Sequence, residues 1–169
     1  MTDGDQNRAA IAPLGADQLR DFAGSFATGV VVLTTRGKDG VLYGLTMNAV
    51  SCVCLEPPLF LACVDAGSAT LAQLKETGAF ALNILSRDQE AISNTFASKG
   101  ADKFANIAHT LGRLDMPLIS GALACAEFRM VQAHEAGDHV IVVGEAVASV
   151  TADGEPLRYF RGKYTDVEL

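Results

Sequence analysis

Two hairpin patterns limit this chain more than any other feature. Residues 30–35, Val30-Val31-Val32-Leu33-Thr34-Thr35, are β-branched or apolar throughout. Gly37-Lys38-Asp39-Gly40 then supplies turn chemistry, and Val41-Leu42-Tyr43 opens a second strand. Towards the other end residues 122–131 alternate, Gly137-Asp138 marks a turn, and residues 139–150 form a long return arm. A tight turn between two strands pairs them antiparallel. A parallel doubly wound sheet needs a helix between successive strands, and these stretches leave no room for one. The expected fold class is mainly β, a barrel with flanking helices.

The segments between the hairpins supply those helices. Leu19, Phe22, Ala23 and Phe26 recur at helical spacing behind Asp17 as a cap, and Gly29 is the expected stop. Pro57-Pro58 halts regular structure before a strand over residues 59–64. Ser68 opens a helix to Thr77, with Leu71 and Leu74 inward and Gly78 as its left-handed stop. Residues 79–85 read as a strand. Ser86-Arg87-Asp88-Gln89 then has the Ser-x-x-Gln form of a capping box, heading a helix to about Ser98. Residues 1–15 are polar and glycine-containing, an expected flexible arm, which leaves 16–169 as one domain. There is no internal repeat or Pro/Ser linker, and 169 residues at 49% hydrophobic are enough for a single core.

Charge and motifs remove several function classes. Thirteen basic against 20 acidic residues give a net charge of −7 without a Lys/Arg cluster, so generic nucleic-acid binding is excluded. Apolar runs such as residues 30–33 and 59–64 fall far short of the roughly 20 residues of a membrane span. Met1-Thr2-Asp3-Gly4-Asp5 has neither a basic nor an apolar leader region. The expectation is a cytoplasmic protein whose Cys52, Cys54, Cys63 and Cys125 are reduced thiols. Rossmann, P-loop and nucleophile-elbow glycine patterns are missing, as are C-x-x-C and H-x-x-x-H, so no metal is expected.

The informative patch is Gly44-Leu45-Thr46-Met47-Asn48-Ala49-Val50-Ser51-Cys52, leading to Leu55-Glu56-Pro57-Pro58. Thr46, Asn48 and Ser51 are polar groups amid core-type sequence, where an unpaired buried polar atom costs roughly 1–3 kcal/mol. Two readings stand: they bond neighbouring backbone in a tight loop, or they face a planar ligand.

Phe22...Phe26-Ala27-Thr28-Gly29-Val30-Val31-Val32, then Gly44-Leu45-Thr46-Met47-Asn48, then Leu55-Glu56-Pro57-Pro58-Leu59 resembles the short-chain flavin reductase family, whose fold is the FMN-binding split β-barrel. Ser68-Ala69-Thr70, residues 80–85, Asp102-Lys103-Phe104, Gly137-Asp138-His139 and the stretch from Tyr159 to Tyr164 continue the same order. The match runs from about residue 19 to 165; no single piece is specific, but the collinear set is.

The resemblance implies hydride transfer from NADH or NADPH to FMN or FAD, and supply of reduced flavin to a partner flavin-dependent monooxygenase. It also implies a homodimer with the site at the two-fold interface. Thr46, Met47, Asn48, Ala49, Ser51 and Cys52 would line the isoalloxazine and ribityl chain. Cys63, Asp65, Ser68 and Thr70 would continue towards the phosphate at a helix start, where an anion is favoured. Asn83, Lys103, Phe104 and Tyr164 complete the expected cofactor contacts, with Lys103 as counter-charge and Tyr164 closing over the site. His139 would stand near the nicotinamide. Where relatives commonly carry hydroxyls, this chain has Ala49, Cys52 and Cys54, so backbone N–H groups are expected to replace side-chain contacts there. Both cofactors bring their own chemistry, and the protein need only stack the rings at roughly 3–3.5 Å and exclude water. The lean towards NADH rests on the net charge of −7. Two other readings are a split-barrel flavoprotein acting on another substrate, such as a pyridoxamine phosphate or a corrinoid, and a non-catalytic flavin or haem carrier.

Overall fold

The computed structural model describes residues 12–100 and 102–166. Most of the arm expected over 1–15 lies outside that range, and its last four residues, 12–15, are exposed coil. Both hairpins form. β2 (Val31–Arg36) pairs with β3 (Leu42–Met47) about a turn closed by the Gly37 N–H on the Val41 carbonyl at 2.8 Å. β9 (Ala124–Ala136) pairs with β10 (His139–Thr151) across Gly137, whose φ of 65° favours a residue without a Cβ.

With β4 (Val50–Cys54), β5 (Leu59–Asp65) and β6 (Ala79–Ile84) these strands form one seven-stranded sheet in the order β3-β2-β6-β9-β10-β5-β4, every pairing antiparallel. The order sets β3 and β4 at opposite edges. Only Asn48 and Ala49 connect them, and that link spans at most about 11 Å. The sheet must therefore curl until its two edges meet. They meet without a ladder between them, so the barrel is split along this seam.

β2 is buried on both faces, which is why residues 30–35 read as unbroken apolar sequence. Val31 and Leu33 face one core with Phe80, Phe128, Val140, Val142 and the Leu71 and Leu74 of α2 (Ala69–Thr77). Val30 and Val32 face a second, with Leu85, Phe104, Leu157 and the Phe96 of α3 (Glu90–Ala97). Phe80 and Phe96 are fully buried, each contributing about 2–3 kcal/mol of transfer free energy. A ribbon of β7 (His109–Leu111) and β8 (Pro117–Ile119) and a small sheet of β1 (Thr28–Gly29), β11 (Arg158–Phe160) and β12 (Lys163–Tyr164) complete the fold.

The α2 signals hold in detail: the Ser68 Oγ accepts from the Leu71 N–H at 3.1 Å, and Gly78 stops the helix at φ 70°. At α3 half of the expected box forms. Gln89 Oε1 accepts from the Ser86 N–H at 3.1 Å, while the Ser86 hydroxyl turns to Asp88 and the Gly121 carbonyl, so the helix begins at Glu90.

Two expectations are corrected. α1 (Ala16–Gly24) is capped at Gly15, with Asp17 in its first turn, and it ends at Gly24 rather than Gly29. The cause lies further along the chain: Thr28 and Gly29 pair with Tyr159 and Arg158 as β1 against β11, which pulls them out of the helix. Residues 46–51 are not one loop either. Thr46 and Met47 finish β3, Val50 and Ser51 begin β4, and only Asn48 and Ala49 turn between them.

Candidate functional site

Chain ends from four elements meet at one corner of the sheet. At the β3–β4 connection the Ala49 carbonyl accepts from the Cys63 N–H of β5 at 2.9 Å. Two residues on, Asp65 ends β5 directly opposite His139, the first residue of β10. The Asp138 carbonyl accepts from the Ala66 N–H at 3.0 Å, tying the hairpin turn to the segment that leads into α2. In that segment Asp65 Oδ1 accepts from the Gly67 N–H at 2.7 Å, and Ser68 begins the helix. Ala49, Cys63, Asp65, Ser68 and His139, far apart in sequence, are thus brought together at this corner, with Asn48 beside them in the chain.

The His139 side chain is about half exposed, and its Nδ1 lies 2.7 Å from Asp138 Oδ1. That contact engages Nδ1 and leaves Nε2 as the ring's second hydrogen-bonding atom. The hydrogen bond from His139, and then its charge, hold the Asp138 carboxyl below the usual carboxylate range. Ser51 is exposed and bonds only the Cys52 carbonyl of its own strand, at 3.3 Å. Cys52 is exposed as well, and borders an apolar groove of about 310 Å³ with Leu55, Phe60, Phe128 and Val150. Met47 is half-buried against the first core.

Other predicted contacts are committed inside the fold. Asn83 is fully buried: its Nδ2 donates to the Val32 carbonyl and Thr34 Oγ1, both at 3.1 Å, and its Oδ1 accepts from the Ile119 N–H at 2.8 Å and from Cys125 Sγ. It knits three strands and faces no opening. Thr70 is buried on α2. Phe104 is buried edge-on against Phe96 at 4.9 Å in the second core. Lys103 Nζ donates to the Phe96 carbonyl at 2.8 Å and the Gly44 carbonyl at 3.2 Å, and burial lowers its pKa. It braces α3 against β3. Thr46 and Tyr164 converge on the same helix: the Thr46 hydroxyl donates to the Ser93 carbonyl at 2.6 Å, and the Tyr164 hydroxyl lies 2.8 Å from Ser93 Oγ and 3.1 Å from Asn94 Oδ1. Tyr164 is docked on its own chain. Among the described residues no group of three His, Cys, Asp or Glu side chains could hold a metal ion, and no helix is long and apolar enough to cross a membrane.

The Asn48 side chain points away from β5: its Nδ2 donates to Thr28 Oγ1 of β1 at 3.1 Å. There it borders a cavity of about 640 Å³ between α1 and the β11–β12 turn, lined also by Arg20, Phe26, Tyr159 and Arg161. This cavity was not legible in the sequence, because its walls come from positions about 140 residues apart that share no local pattern.

Comparisons with known proteins point the same way. The reductase component of a 4-nitrophenol 4-monooxygenase/4-nitrocatechol 2-monooxygenase from Rhodococcus opacus is 37% identical over 164 residues, covering 97% of this chain and 88% of the relative. A flavin reductase (NADH) from Kitasatospora aureofaciens is 39% identical over 152 residues, covering 88% of this chain and 80% of the relative. Among solved structures, the NADH:FAD oxidoreductase of Streptomyces globisporus C-1027 superposes with a TM-score of 0.85 at 32% identity, covering 90% of this chain and 92% of that one. Since residues 23–168 match the family model of the flavin reductase like domain, this chain belongs to that family.

Proposed function

We propose that the protein is an NADH-dependent flavin reductase that reduces FMN or FAD and supplies the reduced flavin to a separate flavin-dependent monooxygenase. The observation that carries this reading is the corner where the β3–β4 connection, the end of β5, the start of α2 and the start of β10 meet. It joins three things such a reaction needs. Among the described residues the outer edges of β3 and β4 pair with no other strand, and apart from the Gly44 carbonyl, which accepts from Lys103, their main-chain groups are available to a planar ring. Ser68 and the first turn of α2 favour an anionic group. His139, its ring fixed by Asp138, offers Nε2 to position a second ring.

When bound, the two cofactors supply the hydride and its acceptor; the chain's own part is to orient and to exclude water. Ser51, with one weak same-strand partner, is free to turn towards a ligand along β4. Ala49, Cys52 and Cys54 offer no hydroxyl, so contact there falls to the backbone.

The protein works as a homodimer in this reading. Leu55 is 80% exposed and stands with Val150 at the apolar groove, a patch suited to a two-fold interface. A reducing, cytoplasmic setting agrees with four cysteines that are all free thiols.

The test follows absorbance at 340 nm with NADH, alone and then with FMN, FAD or riboflavin, and repeats the series with NADPH. Flavin-dependent consumption, faster with NADH, is the expected result. A folded protein that consumes neither nucleotide with any flavin would overturn the reading.

A further inference from the structure

Side chains along a strand alternate between its two faces, and the alternation divides the residues around the seam. On β3, Leu45 and Met47 pack on the first core, so Thr46 between them turns to the outer side of the sheet. On the far side of the seam Val50, Ala62 and Val64 belong to that same core, which leaves Ser51, Cys63 and Asp65 on the outer side. The proposed ring site thus has Thr46 on one bank and Ser51 and Cys63 on the other.

The Thr46 bank is held by α3. Among the described residues no strand lies beside the outer edge of β3, and α3 packs there instead. Gly44 permits the close approach, since a Cβ at that position would lie 2.8 Å from the Phe96 ring. Lys103 ties strand to helix through the Gly44 and Phe96 carbonyls. One turn back along α3 is Ser93, a fully buried polar residue whose carbonyl accepts from the Thr46 hydroxyl at 2.6 Å. That hydroxyl has a single hydrogen, and it is spent on Ser93. Towards a ligand the Thr46 oxygen can only accept.

The Ser93 hydroxyl is committed in turn. The Tyr164 hydroxyl oxygen lies 2.8 Å from Ser93 Oγ and 3.1 Å from Asn94 Oδ1. An amide oxygen only accepts, so the Tyr164 hydrogen goes to Asn94, and Ser93 must donate to Tyr164. The Tyr164 ring is itself braced edge-on against Tyr159 at 5.5 Å. This relay pins the turn of α3 whose backbone holds Thr46.

We propose that Ser93 is a positioning residue of the ring site that acts through Thr46: its anchored turn sets where the Thr46 oxygen stands at the seam and fixes it as an acceptor. The ligand must then bring a hydrogen-bond donor to that bank, and a flavin carries such donors in its ring imide N–H and its ribityl hydroxyls. The inference rests on the reductase reading for the identity of the ligand.

Riboflavin, which has no phosphate, is the probe, titrated by its fluorescence into the full chain. Ser93→Ala is expected to weaken binding about fivefold, and Thr46→Val by at least as much. In the Thr46→Val background Ser93→Ala should cause no further loss, because the residue it acts through is gone. In turnover, Ser93→Ala should raise KM for riboflavin by the same factor and leave kcat unchanged. Thr95→Ala removes a hydroxyl that bonds the Ala91 carbonyl within α3, and it should bind as the parent does. If Ser93→Ala does not fold, Tyr164→Phe removes the same contact and takes its place. A loss that persists with lumiflavin, which lacks the ribityl chain, assigns the donor to the ring imide; a loss seen with riboflavin alone assigns it to the ribityl hydroxyls. Unchanged affinity in the Ser93 variant, losses that add fully to that of Thr46→Val, or absence of riboflavin binding by wild type would overturn the inference, since a helix that merely supports the fold does not couple to Thr46. A protein that binds riboflavin with this coupling yet oxidises no NADH would sink the reductase reading and leave the positioning role standing.

Discussion

Asn83 shows how far a polar side chain in an apolar strand can mislead. Its sequence context suits a ligand contact, but with full burial and partners on β2, β8 and β9 its amide serves the core. Asn83→Ala leaves the Ile119 N–H and the Val32 carbonyl without this partner and is expected to cost about 3 kcal/mol by urea denaturation. An unchanged midpoint would contradict that account. His139 is the opposite case, a lone histidine at a strand start whose role rests on one neighbour. Because the folded Asp138 carboxyl titrates below its ordinary value, the contact's contribution to stability is complete above about pH 4 and is lost as pH falls through the lowered folded value. Carbon-13 NMR should find the Asp138 carboxyl titrating higher in His139→Ala than in the parent. The same variant should raise KM for NADH and lower kcat, if the ring positions the nicotinamide. Cys125 stands apart from both: burial pushes its thiol up to about 11, so it should be the last of the four cysteines to react with a disulfide reagent at neutral pH.

The elements were more legible than the contacts they bring together. Apolar runs, turn residues and caps are local signals, and the two hairpins, α2 with its Ser68 and Gly78 ends, and the strand over 79–85 all stand where the sequence put them. The misreadings arose where a distant partner competed with a local preference. β11 draws Thr28 and Gly29 out of the first helix, and the meeting of sheet edges turns most of the polar patch into strand. The site was legible only in part for the same reason. Asp65, Ser68 and His139 share a corner because of the β5–β10 register, whereas Lys103 and Tyr164 are claimed by α3. That register also depends on Gly144, which sits beside an irregularity in the β9–β10 ladder. A Cβ there would lie 2.6 Å from the Phe80 ring and 2.7 Å from Phe128. Gly144→Ala should destabilise the fold by about 3 kcal/mol in thermal or urea unfolding, since both rings are buried and stacked on each other at 5.1 Å. An alanine variant as stable as the parent would mean that the two rings can move apart freely.

As a whole molecule the chain leaves more apolar surface uncovered than its cores require. Leu19, Phe22 and Phe26 on or beside α1 and Leu55 and Val150 at the groove are all at least 55% exposed. A homodimer that covers the groove predicts twice the chain mass by light scattering at micromolar concentration, and Leu55→Glu should shift that mass towards the single chain. A monomeric parent that retains full activity would count against the dimer. The seam between β3 and β4 has a different implication, one for ancestry. A ligand that lies along two unpaired strand edges is read largely by amide and carbonyl groups, which every residue but proline carries alike. Side chains there can drift, as Ala49, Cys52 and Cys54 suggest, without loss of the ligand. Descendants of such a protein would stay recognisable by the path of their backbone long after their residue motifs had faded.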